Sequence, residues 1–471
     1  MIAENARAGN DPAAAGNRPT SIHLRGDIFW PEWDAILTRE RSFKESLPNV
    51  MHSDSSPMIQ LLSRLRTALP RLGSGHCGRG ARRFRAEAEL DRLSRHIILP
   101  SVSVTEEETA RSAYQDTGLK LARQEMWEEL STLIRQADTA RTGTPGGESA
   151  AMLLAFGARS DVVSMAEDAL HDGTVPDLSG VEALDALAEE MTGDYPVQAI
   201  VALMHADMAW AWSAVPGAPT LKGAAERRAH HAARASALLA PHCGAAEAAP
   251  MLASAECALL RIEGARTTAQ RVAAQYQRLI DLDPASPRHM RAFGAALLAA
   301  APGDYRQIEV EARRMAARTQ AEWGAGAYTW TYLDALALDR NALMLLDPAF
   351  FIDGLRDILR LRPDQHTANL MAAFCAITMR EAAPGGAPAA QAPLAACLTW
   401  ILRDHLHELH PLIWTQALHR PGAGPLPPRR ALISEGRRTA LRAIAALFAD
   451  DIAGGQSIAF SPAGMYMLPS L

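Results

Sequence analysis

The sequence predicts an all-α protein built from paired helices, and three observations lead to this prediction. Hydrophobic residues make up 48% of the 471-residue chain whereas aromatic residues make up only 6%, and alanine accounts for much of the difference. Alanine has the highest helix propensity because it loses no side-chain entropy when a helix forms. From Thr105 onward, apolar residues recur at helical spacing between short breaks, whereas strand patterns are nearly absent.

Composition argues against several classes of protein. The formal net charge is −6, from 47 basic and 53 acidic side chains, and does not indicate general nucleic-acid binding. The five cysteines form no C-x-x-C pair, so we expect neither a disulfide scaffold nor a zinc ribbon. The chain does not start like a signal peptide, and no stretch of about 18 residues is apolar throughout. We therefore expect a cytoplasmic protein with no membrane contact and no cofactor.

The first hundred residues are predicted to form a tail and a helical extension. Residues 1–22 are rich in Ala, Gly, Asn and Pro without periodicity, and are predicted to be disordered. The region 23–104 contains two helical patterns, over Pro57–Leu69 and from about Ala86 to Ile98, before Pro100. Between them lies a Gly- and Arg-rich loop. Its basic segment is a candidate contact for phosphates or an acidic partner, and comprises Arg79, Arg82, Arg83 and Arg85.

The segment 105–382 is predicted to contain the helical pairs. Thr105 and Glu108 have the spacing of a capping box, in which two side chains bond the first backbone N–H groups of a helix. Two helices follow, joined near Gln124–Glu125 and ending before Thr142–Gly147. Similar segments recur as far as about Met379.

The end of the chain is predicted to contain a second helical region. A Pro/Ala/Gly-rich linker over 383–393 separates it from the helical pairs. The segment 394–450 carries helical patterns, interrupted by a second linker over 421–428, and 451–471 is predicted to be a tail without a clear pattern.

Two predicted helix endings share the same spacing. Gln275–Pro284 and Gly354–Pro363 each close with a proline, and ten positions later the sequence has the small residues Gly294 and Ala373. These endings resemble those of tetratricopeptide repeats, in which a proline ends the second helix and a small residue lies where the next helix packs closely. The resemblance implies a degenerate helical-hairpin array, or α-solenoid, in which pairs of about 34 residues stack because one pair cannot bury its own apolar face.

The resemblance is incomplete. A third pair over Ser112–Ala137 matches less well, with Gly118 at the small position. Leu279 and Ile358 replace the small residue typical of the second helix, and the spacing requires an insertion near Asn341–Asp347. The alternative is an irregular helical bundle in which Leu-x-Pro simply ends a helix.

Stacked pairs imply a concave groove lined by the first helix of each pair, which is the usual ligand surface of such arrays. In this register the candidate partner-binding residues are Gln115, Arg123, Arg288 and Arg291. Arginine there suits a peptide with a carboxylate, because the planar guanidinium pairs bidentately with it. The alternative is that all four are ordinary solvated helix residues.

Other patterns give weaker indications of chemistry. Gly73–Gly78 spells G-x-G-x-x-G, but a dinucleotide site needs a strand before the motif, and a helical pattern precedes it here. His405, His407 and His410 on one predicted helix are candidate metal ligands, but a polar helix face explains them better than a metal site. No nucleophile, paired carboxylate or P-loop stands out, so no catalytic residue is predicted.

The leading hypothesis is an adaptor or scaffold that binds a peptide or helix of an unidentified partner protein in the groove. The runner-up is a regulatory or sensory helical domain whose basic segment contacts nucleic acid or an acidic partner. Nucleic acid is the less expected partner, since no recognition helix or aromatic motif accompanies the arginines. An enzyme is the third hypothesis, and it would need a pocket that holds the three histidines. The sequence leaves the oligomeric state open.

Overall fold

A computed structural model describes residues 88–263, 267–380, 389–419 and 427–469 of the chain. These residues are mostly helical, with one small sheet, which confirms the predicted all-α class. No helix within these ranges is long and apolar enough to cross a membrane. Several predictions lie outside the described residues: the tail 1–22, the helix Pro57–Leu69, the motif Gly73–Gly78 and the basic segment Arg79, Arg82, Arg83 and Arg85.

The first part of the helical array follows a helical segment over 88–96. Its helices are α1 (Glu106–Arg123), α2 (Trp127–Thr139), α3 (Ala150–His171), α4 (Ser179–Glu190), α5 (Tyr195–Ala214), α6 (Ala224–Leu239) and α7 (Pro250–Glu263). Helix α1 packs against α3, α3 packs against α5, and α5 packs against both α6 and α7.

The second part continues with shorter helices. They are α8 (Ala269–Leu282), α9 (Pro287–Ala300), α10 (Tyr305–Arg318), α11 (Gln320–Trp323), α12 (Gly326–Leu338), α13 (Pro348–Leu361), α14 (Gln365–Ala373), α15 (Gln391–Ala396), α16 (Leu398–Asp404), α17 (Pro411–Leu418), α18 (Arg429–Leu447) and α19 (Ala449–Ala453). Helix α9 packs along α12, α14 packs on α17, and α17 packs along α18.

Helix α1 begins with the predicted capping box. The Thr105 hydroxyl accepts a hydrogen bond from the Glu108 backbone N–H at 3.2 Å, and the Glu108 carboxylate accepts one from the Thr105 N–H at 3.0 Å. These two bonds satisfy backbone donors that a helix N-terminus otherwise leaves without partners. The predicted junction near Gln124–Glu125 is also confirmed, because α1 ends at Arg123 and α2 begins at Trp127.

Glycines allow close helix crossings at two of the positions where a small residue was predicted. A Cβ atom on Gly294 would lie 1.8 Å from the Thr331 carbonyl oxygen, so α9 and α12 touch backbone to backbone. A Cβ on Gly118 would lie 2.0 Å from the Leu154 oxygen, where α1 crosses α3. The close packing expected at Gly294 and Gly118 is therefore confirmed. Ala373, the third predicted small residue, is fully buried in α14.

Two large hydrophobic cores meet at one helix. The first lies among α1 to α7, and the second extends from α7 through α18 to the sheet. Helix α7 contributes Met251 and Leu252 to the first core and Cys257 and Leu260 to the second. Because α7 is apolar on both sides, it joins the two parts of the array through continuous packing.

A three-stranded sheet joins the two ends of the described chain, and the sequence did not predict it. Its strands are β1 (Ile97–Ile98), β2 (Gln456–Ser461) and β3 (Gly464–Pro469). Strand β1 pairs parallel to β2, and β2 pairs antiparallel to β3. The helix predicted to reach Ile98 thus ends at 96, and the predicted tail 451–471 contains a hairpin. The signal was a short alternation in which Ile458 and Phe460 face the core.

Candidate functional site

A cavity of about 50 Å³, measured as space open to water-sized molecules, lies where five parts of the chain meet. It combines charged, neutral polar and apolar side chains. The lining residues are Val102, Thr105, Glu107, Glu108, Arg111, Glu148, Arg288, His366, His410, Leu412, Ile413 and Gln416.

Five helices begin beside this cavity. The N-cap residues of α1, α3, α9, α14 and α17 are Thr105, Ser149, Ser286, Asp364 and His410, and each of them lines the cavity or lies within two residues of a lining side chain. Helix N-termini present partial positive charge and N–H groups. Their convergence therefore favours negatively charged groups in this part of the molecule.

One buried carboxylate is shared by two arginines. Glu148 is 4% exposed, and its Oε2 lies 3.1 Å from Nε of Arg111. The other oxygen of Glu148 pairs with the guanidinium of Arg288. Burial lowers the pKa of Arg288, and the charge of Glu148 opposes this shift. The cavity lining as a whole carries three carboxylates, from Glu107, Glu108 and Glu148, beside these two guanidinium groups.

Glu107 holds the α2–α3 connection against α1. Its carboxylate accepts hydrogen bonds from the Thr144 hydroxyl at 2.8 Å and from the Gly146 N–H. Thr144 also accepts a bond from the Glu148 N–H at 3.0 Å, so one tight turn positions both acids. Burial, and then the nearby charge of Glu148, raise the pKa of Glu107. The negative charge at Glu107 is thus weakened as pH falls.

The imidazoles of His366 and His410 also line the cavity. His410 is almost fully buried, and its Nε2 lies 2.8 Å from Glu408 Oε1, whereas its Nδ1 has no hydrogen-bond partner among the described residues. The pKa of His366 lies well below its usual range, because of burial and then the positive charge of Arg288.

Asn369 fixes this side of the cavity. It is fully buried in α14, and its Oδ1 accepts hydrogen bonds from the His410 N–H at 3.0 Å and from Trp414 Nε1 at 2.9 Å. Its Nδ2 donates to the carbonyl oxygens of Gln365 and Glu408, both at 2.8 Å. Three of these bonds, to Glu408, His410 and Trp414, attach the start of α17 to α14, so they determine where His410 lies.

The prediction that His405, His407 and His410 share one helix is wrong. Helix α16 ends at Asp404, and the chain that follows is held by side chains of α14 instead. Gln365 Oε1 accepts hydrogen bonds from the N–H groups of His407 at 2.9 Å and Glu408 at 3.0 Å. The described ranges contain no group of three His, Cys, Asp or Glu side chains that could hold a metal ion.

The structure separates the four predicted partner-binding residues. Arg288 lines the cavity, whereas Arg291 is buried nearby in a bidentate ion pair with Asp334 at 2.8 and 2.9 Å. Gln115 is buried at the crossing of α1 and α3, close to Gly157. The role of these residues in partner binding stays a prediction.

Arg123 lies on the surface. It forms a bidentate ion pair with Asp161 on α3, at 2.7 and 2.9 Å, and both side chains are largely exposed. Neither Arg123 nor Gln115 lines the cavity.

Sequence reasoning missed most of the cavity. Glu107, Arg111, Glu148, His366 and His410 come from segments far apart in the chain, and no motif spacing connects them. In the structure, each of these polar residues stands in the first turns of a helix or just before it. Comparison with known proteins gives no match, whether with family models, curated proteins or solved structures.

Proposed function

We propose that this chain is a cytoplasmic adaptor with tetratricopeptide-like helical pairs, and that it binds a peptide segment of a partner protein. In this proposal the cavity receives a carboxylate of the peptide. The array of successive helix pairs supports the first part, because such arrays leave inner helix faces for ligands. The composition of the cavity supports the second part.

The observation that carries the proposal is the sharing of Glu148 by Arg111 and Arg288 at the meeting point of five helix N-termini. The N–H groups and dipoles of five helix N-termini, together with the two guanidinium groups, favour a further anionic group, although Glu107, Glu108 and Glu148 supply three carboxylates to the same lining. An anion bound in the cavity would raise the pKa of His366, because a nearby negative charge favours the protonated imidazole.

The size of the cavity limits what enters it. At about 10–15 Å³ for each water molecule, a volume of about 50 Å³ holds a few waters or one small functional group. A single carboxylate fits this space, whereas a whole helix does not. Val102, Leu412 and Ile413 provide apolar contact for the methylene groups that would precede the carboxylate.

Selection from a random peptide library against the purified chain tests the proposal. The diagnostic variant is Gln416→Trp, because Gln416 lines the cavity, is partly exposed, and a larger side chain there fills the space. The matched control is Gln136→Trp, which makes the same change on the exposed side of α2.

We expect selected peptides to contain an Asp, a Glu or a free C-terminal carboxylate, and to bind the wild-type chain and the control. Their affinity for Gln416→Trp should fall by about tenfold or more, as for removal of a central contact. Selected peptides without a required carboxylate, or with equal affinity for all three proteins, would overturn the proposed site.

A further inference from the structure

Two packed segments from opposite ends of the described chain carry five arginines, which we call the arginine face. It comprises Arg92 and Arg95 of the segment 88–96, and Arg437, Arg438 and Arg442 of α18. Arg92 and Arg95 are exposed, and neither forms an ion pair with any residue in the described ranges. No member of the face lines the cavity described above.

Specific contacts hold the two segments together. Arg442 Nε lies 2.6 Å from Glu89 Oε1, across 353 residues of sequence, and Arg437 reaches the Ser94 hydroxyl at 3.5 Å. On the inner side, Leu90 and Leu93 pack against the core to which Leu441 and Ile444 belong. The spacing of the arginines is therefore set by packed helices.

The face carries an excess of positive charge. Its five arginines stand against Glu89 and Asp91, in a chain whose formal net charge is −6. The hydrogen bond from Arg442, and then the charges of Arg442, Arg438 and Arg92, lower the pKa of Glu89 despite some burial. In the sequence, four further arginines directly precede the segment: Arg79, Arg82, Arg83 and Arg85.

We propose that the arginine face binds an acidic segment of a partner polypeptide. Charge complementarity selects an acidic partner. Glu89 and Asp91 interrupt the row of arginines, which disfavours a continuous polyphosphate but suits a peptide whose carboxylates are spaced apart. The two segments also contain no Phe, Tyr or Trp on which nucleic-acid bases could stack.

Fluorescence anisotropy with a labelled peptide of alternating Glu and Ser tests this proposal on the full chain. The diagnostic variant is Arg92→Glu with Arg95→Glu, since both side chains are exposed. The matched control is Arg356→Glu with Arg360→Glu on α13, where both arginines are largely exposed. Both pairs change the net charge equally, and circular dichroism checks that helix content is retained.

We expect the peptide to bind the wild-type chain, with affinity falling as salt rises from about 50 to about 200 mM. The diagnostic pair should weaken binding by about tenfold, and the control pair by less than about threefold, because only the first removes short-range contacts. An Arg92→Gln, Arg95→Gln variant should give an intermediate loss.

Three results would overturn the proposal. The first is absence of peptide binding at low salt. The second is an equal loss for the diagnostic and control pairs, which would reduce the effect to net charge. The third is tighter binding of single-stranded RNA or duplex DNA that the acidic peptide does not displace, which would assign the face to nucleic acid. Because both variant pairs leave the cavity residues unchanged, the difference between the diagnostic and control pairs tests the arginine face separately from the peptide site proposed above.

Discussion

Glu148 and Arg288 form an ion pair although 140 residues of sequence separate them. Glu148 lies just before α3, and Arg288 is the second residue of α9, so their contact fixes the α2–α3 turn against a much later helix. The neighbouring Ser286 hydroxyl donates a hydrogen bond to the Gly147 carbonyl oxygen at 3.2 Å. These contacts join distant parts of the array around the cavity.

Glu148→Ala should destabilise the chain strongly. The change removes a carboxylate that Arg111 and Arg288 both contact, and leaves their guanidinium groups, which are only 11% and 22% exposed, close together. Breaking a buried charge pair in this way costs about 3–5 kcal/mol. Urea unfolding followed by circular dichroism measures the loss, with exposed Glu322→Ala as the control. A loss below about 1 kcal/mol would mean that water screens the cluster.

Gly294→Ala should separate α9 from α12. The added methyl group would lie 1.8 Å from the Thr331 carbonyl oxygen, a backbone atom that cannot rotate away. Overpacking of this kind costs about 1–3 kcal/mol or more. Thermal unfolding of this variant should be compared with that of Gly193→Ala, whose methyl group would have no neighbour within 4 Å. Equal melting temperatures for the two variants would contradict the close crossing.

Asn369→Ala should loosen the start of α17. It would leave the His410 N–H and the Trp414 indole N–H without their acceptor, and two carbonyl oxygens without their donor. Each unsatisfied buried group costs about 1–3 kcal/mol, so a total loss of about 3 kcal/mol or more is expected. Urea midpoints measure it, and exposed Asn341→Ala is the control. Unchanged hydrogen exchange at Trp414 would count against this role of Asn369.

Acid should weaken the packing of α5 against α6 through a buried histidine pair. His205 Nδ1 lies 2.8 Å from His231 Nδ1. This hydrogen bond needs one donor and one acceptor, so only one of the two Nδ1 atoms can carry a proton. Burial, and then the charge of His205, lower the pKa of His231 from 6.5 to about 4. The folded state therefore resists a proton that the unfolded chain accepts.

Because the pKa of His231 is lower in the folded state, protonation of this residue favours the unfolded chain. The contribution of His231 to the free energy of unfolding is fully present above pH 6.5, decreases between pH 6.5 and about pH 4, and does not change further below that, with a total loss of about 3 kcal/mol. Urea midpoints between pH 7 and pH 4 should change less for His231→Gln than for the wild-type chain, because glutamine does not titrate. Parallel pH profiles for the two proteins would exclude His231 as the cause.

Local features were predictable because they depend on neighbouring residues. The capping box of Thr105 and Glu108 satisfies the first N–H groups of α1, and proline and glycine positions mark where helices end. The close crossing at Gly294 was predicted through the resemblance to tetratricopeptide repeats, in which a small residue lies ten positions after the closing proline. The strands β2 and β3 were missed because the alternation of buried and more exposed residues covers only Ile458 to Ser461 in β2 and is absent from β3.

The sequence by itself determined the all-α class, many helix boundaries and the small residues at two crossings, because propensity, capping and spacing act over one or two turns. Only the tertiary structure decided that Arg288 meets Glu148, that Asn369 positions His410, and that Arg442 meets Glu89. These pairs depend on how successive helices stack over hundreds of residues. A small change in each crossing accumulates along the array, so no local pattern specifies which distant side chains come together.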